Sequence, residues 1–423
     1  MKRIVLIGLV MVIVCGLLSG CNQQSKETAN VKSATPVVLS IYVDQGLVND
    51  DLHEVAKLFE EQEGVSVYFK ERPSGDAGEA MVRASLASGD MADLLIYNSG
   101  GLFFELDPER YFVDLKNEPY VQDYIEAYTN AVSRNGMTFG YPVSNSTIVG
   151  VLYNKELYEQ LGLHIPTNWD EFISNCRVIQ KAGKVPVVAS FKDDWTSQFL
   201  FIGSQYAVMK REPAFLKAFL EHRKSFVDSV VYKESFEKQR ELYDLKLYNS
   251  DYLIMNNTKA LELMTSAKGA HYIVNSGFLD VIQKEYSNAK NKVGFFPIPG
   301  STADETGLTI MLPSSFYINK YSEHIELSKK WIALFHAYMK SHHLKQIAPS
   351  VLKDEGTFQS TDPVINRYLQ DGRYTFGLEF LSEVKGDKLS EISFENSTGI
   401  ITPEEALRNY NARYQSKLDQ FVR

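Results

Sequence analysis

The stretch VVLSIYVDQGLVNDDLHEVAKLFEEQEGVSVYFK, residues 37–70, changes its hydrophobic period twice. Residues 37–43 form a short apolar run rich in β-branched side chains, the composition of a buried strand. Asn49, Asp50 and Asp51 then set a capping side chain and two acids ahead of Leu52, Val55, Ala56 and Phe59, which share one helical face until Gly64 stops the helix. Val65, Val67 and Phe69 alternate as a second strand does. A helix over 79–87, stopped by Gly89, and a third strand over 92–97 extend the series. Strand and helix in alternation predict an α/β fold with a mostly parallel sheet covered on both faces.

The pattern restarts after Tyr141-Pro142, with a strand over 148–153 and a helix over 155–161. Asn168 and Glu171 stand at capping-box spacing, so a helix is expected to run from there to Ala182, followed by a strand over 185–189. From there to about residue 290 most segments read as helical. A strand over 293–296 ends in Pro297-Ile298-Pro299-Gly300, which marks a change of direction. A polar loop over 301–307, an amphipathic helix over 327–338 and a terminal helix opened by Thr402-Pro403-Glu404-Glu405 complete the chain.

Upstream, Lys2 and Arg3 precede an apolar run over 4–18, the layout of a secretory signal. The run is shorter than the about 20 residues that a transmembrane helix needs. Leu18-Ser19-Gly20-Cys21 resembles the lipobox of bacterial lipoprotein precursors, in which the cysteine thiol is lipidated and becomes the first mature residue. Residues 22–35 are polar and aperiodic, a flexible tether with an r.m.s. reach of about 20 Å. The expected location is therefore extracytoplasmic, with the chain held to the membrane through Cys21.

Removing residues 1–20 takes Lys2 and Arg3 from the 44 basic residues and none of the 53 acidic ones, leaving a net charge of −11. That balance argues against a nucleic-acid partner, which calls for a clustered basic patch. Of three cysteines only Cys176 stays in the folded body, so no intramolecular disulfide is possible, and its helical apolar setting makes it a small core residue. His342 and His343 are adjacent and point to different helix faces, a poor start for a metal site. No H-E-x-x-H pattern, G-x-S-x-G elbow or P-loop is present, so neither a cofactor nor an enzyme is read from the chain.

Several segments, taken in order, resemble the family 1 extracellular solute-binding proteins, the sugar-capturing subunits of ABC importers related to maltodextrin-binding protein. They are Leu86-Ala87-Ser88-Gly89-Asp90-Met91-Ala92-Asp93-Leu94, Tyr141-Pro142, Leu152-Tyr153-Asn154-Lys155-Glu156-Leu157 and Asn168-Trp169-Asp170-Glu171-Phe172. Ala270-His271-Tyr272, Asn275-Ser276-Gly277-Phe278 and Phe296-Pro297-Ile298-Pro299-Gly300 follow. The resemblance implies a two-lobed, type II periplasmic-binding-protein-like fold with a hinge of several crossings. Lobe one would hold residues 37–143 and 305–345, lobe two 147–300 and 349–423, with crossings near Ser144, Thr302 and Pro349. It also implies a monomer that takes a small-molecule carbohydrate, such as an oligosaccharide, in the interlobe cleft and hands it to the transmembrane subunits of an ABC permease. Alanine at 92 in place of the family's usual proline, and Phe278 where tryptophan is common, point to a ligand other than a maltodextrin. Phenylalanine keeps an apolar face but has no N–H donor.

A sugar offers apolar C–H faces and a rim of hydroxyls, so its site needs aromatic platforms and side chains that donate and accept. Tyr97, Asn98 and Ser99 lie just past a strand, where open α/β sheets bind ligands. Asn145 and Ser146 follow the first crossing, and Ser314 and Ser315 follow the second. Asp194-Trp195 resembles the family's cleft tryptophan, with Phe278 as a second aromatic. With 24 Tyr and 24 Phe most aromatics must be core, and Trp169 and Trp331 are read that way. A binder of peptide, polyamine or metal, and a secreted glycoside-acting enzyme, are the alternatives. If Cys21 carries the anchor, Cys21→Ala leaves unlipidated precursor; unchanged lipid labelling would remove that assignment.

Overall fold

The computed structural model describes residues 37–422 except 74, 290, 343–346 and 354–358. The signal, Cys21, the tether and His343 lie outside these. The strands in chain order are β1 (Val38–Asp44), β2 (Ser66–Arg72), β3 (Leu94–Tyr97), the small hairpin β4 (Ser133–Arg134) and β5 (Met137–Thr138), β6 (Gly140–Pro142), β7 (Thr147–Asn154) and β8 (Val185–Val188). β9 (Gly269–Asn275), β10 (Val293–Pro297), β11 (Leu308–Met311), β12 (Ser315–Ile318) and β13 (Tyr374–Phe376) follow.

One sheet has the order β2-β1-β3-β12-β6. Its first three strands are parallel, as read from the sequence, while β12 enters antiparallel between β3 and β6. The local signals act as expected. The Asn49 side chain accepts from the Leu52 N–H at 3.0 Å, and Gly64 ends helix Asp50–Glu63 at φ 67°. Leu52, Val55 and Phe59 on its buried face meet Leu39, Ile41 and Val43 of β1. Trp331, from helix Ile325–Ser341, is fully buried and edge-on to Phe59, Phe69 and Phe316. Burying such side chains contributes roughly 1.5–3 kcal/mol each, which holds the helices on the sheet.

The second sheet runs β13-β11-β7-β9-β8, with β10 also paired to β7. β7 uses residues 147–149 for β11 and 150–154 for β10. Gly150 sits where they meet, and a Cβ there would stand 2.4 Å from the Phe295 ring and 2.5 Å from the Phe296 carbonyl oxygen. Helix Trp169–Lys181 is capped by Asn168, whose side chain accepts from the Glu171 N–H at 3.0 Å. Glu171 reaches back one residue further than a standard capping box, to the Thr167 N–H at 2.7 Å. A third cluster, with Phe201, Phe219, Phe226, Tyr232, Tyr410 and Tyr414, packs the terminal helix Pro403–Val422 onto this lobe.

Three readings need correction. The region taken as mostly helical contains β9, between β7 and β8, because a fully buried strand carries no alternation. The crossing expected near Thr302 lies at 312–314, because β11 pairs with β7 and β13 in the second sheet before β12 joins the first. Around Pro349 the chain passes between lobes three times, from helix Ile325–Ser341 on the first lobe to Ile365 in the second-sheet core. Ile347 and Ala348 pack in the second-sheet core, whereas Val351 packs in the first and Lys353 donates its N–H to the Asp123 carbonyl.

His271 in β9 is fully buried beside Cys176, and burial pushes its pKa down to about 3. As the neutral tautomer it donates from Nδ1 to the Pro186 carbonyl at 2.8 Å and accepts at Nε2 from the Tyr158 hydroxyl at 2.6 Å. The unfolded chain takes up this proton near the ordinary value of 6.5 and the folded chain only near 3. Stability from this residue is therefore whole above pH 6.5 and lost as pH falls toward 3, at up to about 1.4 kcal/mol per pH unit. Urea unfolding at stepped pH should show that slope reduced by about one proton in His271→Gln; identical slopes would refute the assignment.

Candidate functional site

The carboxyl ends of β1, β2 and β3 point toward the second lobe, and a cavity of about 300 Å³ opens between them and it. Lobe one contributes Asp44, Arg72, Glu79, Tyr97, Asn98 and Leu102. Lobe two contributes Trp195, Gln198, the run from Lys385 to Ser390, and Lys417. Both lobes therefore wall one space.

Asp44 and Arg72 are register partners at the ends of adjacent parallel strands, and pair at 2.8 Å. Arg72 is only 2% exposed. Its guanidinium lies against the Tyr42 and Tyr97 rings, at 5.1 and 5.7 Å, and its Nη2 also donates to the Ile96 carbonyl at 3.2 Å. Its Nε and Nη1 have no partner among the described residues, and neither has the buried Tyr97 hydroxyl. Buried donors left unmade cost about 1–3 kcal/mol each. Burial raises the Asp44 carboxyl above its ordinary range despite the opposing pull of Arg72, and lowers Arg72. On the other wall, burial acts to lower Lys385, but Glu379, Glu79 and Glu105 together hold it above the usual lysine range. Lys417 pairs with Glu105 across the lobes at 2.6 Å.

Trp195, half-buried in the 3₁₀ turn Asp194–Gln198, is the aromatic of the second wall. Phe278, in helix Gly277–Glu285, stacks on it with centroids 6.1 Å apart and planes 20° apart. Phe199 meets it edge-on at 5.8 Å. The indole is thereby held in place by the two rings.

The residues singled out in the sequence separate into two groups. Tyr97, Asn98 and Trp195 line the cavity, and Phe278 stacks on Trp195. Ser314 donates to the Asn98 Oδ1 at 3.3 Å. Ser99, Ser146 and Ser315 are buried with their hydroxyls engaged elsewhere: Ser99 to the Pro313 carbonyl at 2.9 Å, Ser146 to the Pro349 carbonyl at 2.5 Å, Ser315 with the Tyr128 hydroxyl at 2.6 Å. They brace the crossings. Asn145 is half-buried in the turn between β6 and β7, and Asp194 is exposed; neither lines the cavity. Trp169 and Trp331 are buried core residues, as read.

Asp44, Arg72, Glu79, Gln198, Lys417 and the 385–390 run were missed. The strand-end rule applied to β3 reaches Asp44 and Arg72 equally well, since each closes a recognisable strand. No local signal marks 385–390, which arrives from far along the chain.

Residues 45–341 match the family described as bacterial extracellular solute-binding protein. The chain is 26% identical over 196 residues to the multiple sugar-binding protein of Streptococcus mutans, spanning 46% of this chain and 45% of that one. It is 25% identical over 297 residues to the melibiose/raffinose/stachyose-binding protein MelE of Bacillus subtilis, spanning 67% of this chain and 65% of that one. Each match thus spans less than two thirds of the relative's length. A solved sugar transporter from Bacillus licheniformis in complex with stachyose shares the fold, with a TM-score of 0.72 at 19% identity over 90% of this chain and 100% of that chain.

The buried pair makes a testable demand. Arg72→Met should cost about 3 kcal/mol in urea unfolding by stranding the Asp44 carboxylate, and adding Asp44→Asn should restore part of that loss. Simple additivity of the two losses would mean that the charges do not act as a pair.

Proposed function

Since the chain belongs to the bacterial extracellular solute-binding proteins, we propose that it captures an oligosaccharide between its lobes for an ABC importer. One observation carries this reading: polar side chains of lobe one, Asp44, Glu79 and Asn98, and of lobe two, Gln198, Lys385 and Asp387, share a cavity with the held indole of Trp195. A sugar hydroxyl both donates and accepts, so it satisfies a carboxylate, an amide and an ammonium group alike. The C–H face of the same pyranose covers an aromatic ring. The relatives named for sugars support the same class of ligand.

A ligand held from both sides binds the closed arrangement better than any open one, and that difference in affinity drives lobe closure. The protein works as a monomer, and the loaded form docks on the permease transmembrane subunits. The n-region, the short apolar run and Leu18-Ser19-Gly20-Cys21 support lipid anchoring through Cys21 at the outer face of the cell membrane. Two acyl chains there would give stable attachment, where one is marginal.

Titration calorimetry with raffinose, stachyose, maltotetraose and xylotetraose tests the reading. At least one should bind, and Trp195→Ala should weaken it by about 30-fold, near 2 kcal/mol, with folding intact. Wild-type affinity in a folded Trp195→Ala protein would remove Trp195 from the site. Hydrolysis of the sugar during titration would sink the binding-protein reading.

A further inference from the structure

We propose that the segment 377–390 is an end wall of the cleft, so that the site reads one terminus of a linear oligosaccharide and excludes a chain running through. This rests on the carbohydrate reading above and concerns which part of the sugar is taken.

The segment leaves β13 at Gly377, forms the short helix Leu378–Leu381 and turns at Lys388, whose φ is 63°, into helix Leu389–Ser397. Lobe two holds it from behind. Val384 and Leu389 join the cluster of Tyr410 and Tyr414, and the Ser382 and Tyr414 hydroxyls lie 3.3 Å apart. The Ser390 carbonyl accepts from the Ser197 hydroxyl at 3.1 Å. In front, the segment presses on lobe one at Gly100 and Gly101, just past β3. Gly100 has φ 76° and ψ −145°, a conformation open to glycine alone. A Cβ there would lie 2.4 Å from the Glu379 carbonyl oxygen, and one on Gly101 would lie 3.0 Å from the Lys385 nitrogen. Backbone meets backbone, with no room for a side chain between them.

The same segment walls two separate cavities. Lys385 to Ser390 face the cavity with Arg72 and Trp195. Phe380 and Leu381 face a second space of about 460 Å³, bounded by Ile125, Ala127 and Asn130 of lobe one and by Tyr374. The segment thus lies between the two spaces, whereas a site for internal units of a chain needs an exit at both ends. The wall is also polar: Lys385, Asp387 and Ser390 offer both donors and acceptors toward the cavity. A chain terminus carries a hydroxyl where an internal unit carries the next sugar, so such a wall satisfies an end and clashes with a continuation.

The experiment uses the linear tetrasaccharide that binds best among stachyose, maltotetraose and xylotetraose, either unmodified or with a bulky aryl group on one terminal unit or the other. Blocking one end should weaken binding by about 100-fold or more, and blocking the other by less than about threefold, because only one terminus meets backbone. Equal tolerance of both blocks would overturn the proposal, and so would equal loss from both. Gly101→Leu puts a whole side chain against the Lys385 and Val384 backbone, where a Cβ alone already stands 3.0 and 3.1 Å away, and must displace the wall. In a variant with a wild-type circular dichroism spectrum, the penalty for the blocked end should shrink by about tenfold, since the steric element has moved. An unchanged penalty would show that the wall lies elsewhere. Should this variant not fold, the two blocked sugars on the unaltered protein still decide. Failure of every sugar to bind sinks the carbohydrate reading and this one together; binding without end discrimination sinks only the wall.

Discussion

The cleft depends on chain crossings that are bonded to one another. The Val143 N–H, at the end of β6, donates to the Ser314 carbonyl at 3.0 Å, which ties the first crossing to the second. The buried Ser146 hydroxyl donates to the Pro349 carbonyl at 2.5 Å, which ties the first to the passage near residue 349. Each such bond contributes only about 1 kcal/mol net, but a buried group left unmade costs more, so the crossings keep one arrangement. That arrangement fixes which strand ends oppose which loops. The ends of β1, β2 and β3 thereby come to face Trp195 and the 385–390 run.

Buried polar atoms are left unmatched both in the core, as at Trp331 Nε1 and the Tyr120 hydroxyl, and at the cleft. His271, also in the core, is kept neutral with both ring nitrogens engaged. In the cavity, Arg72 is as deeply buried yet keeps unpartnered N–H groups, and the Tyr97 hydroxyl beside it is also unmatched. Asp44 compensates the charge of Arg72 without filling its hydrogen-bonding capacity. The stacked Trp195 and Phe278 supply the apolar half of the same site.

The sequence by itself determined what is local. Asn49 and Asn168 cap their helices, Gly64 takes the left-handed turn, and the alternating period of 37–70 gives β1, helix Asp50–Glu63 and β2, because these depend on side chains within a few residues of each other. The strand end at Tyr97 was legible for the same reason, whereas the indole at 195 was singled out by its resemblance to the family's cleft tryptophan. Only the tertiary structure decided the rest. β9 carries no alternation because both its faces are buried, and β11 and β12, three residues apart, join different sheets. Arg72 is buried in the cleft only because β1 and β3 bring Asp44, Tyr42 and Tyr97 around it. The segment from Glu379 to Lys385 meets Gly100 and Gly101 from far along the chain, a contact that no local period encodes.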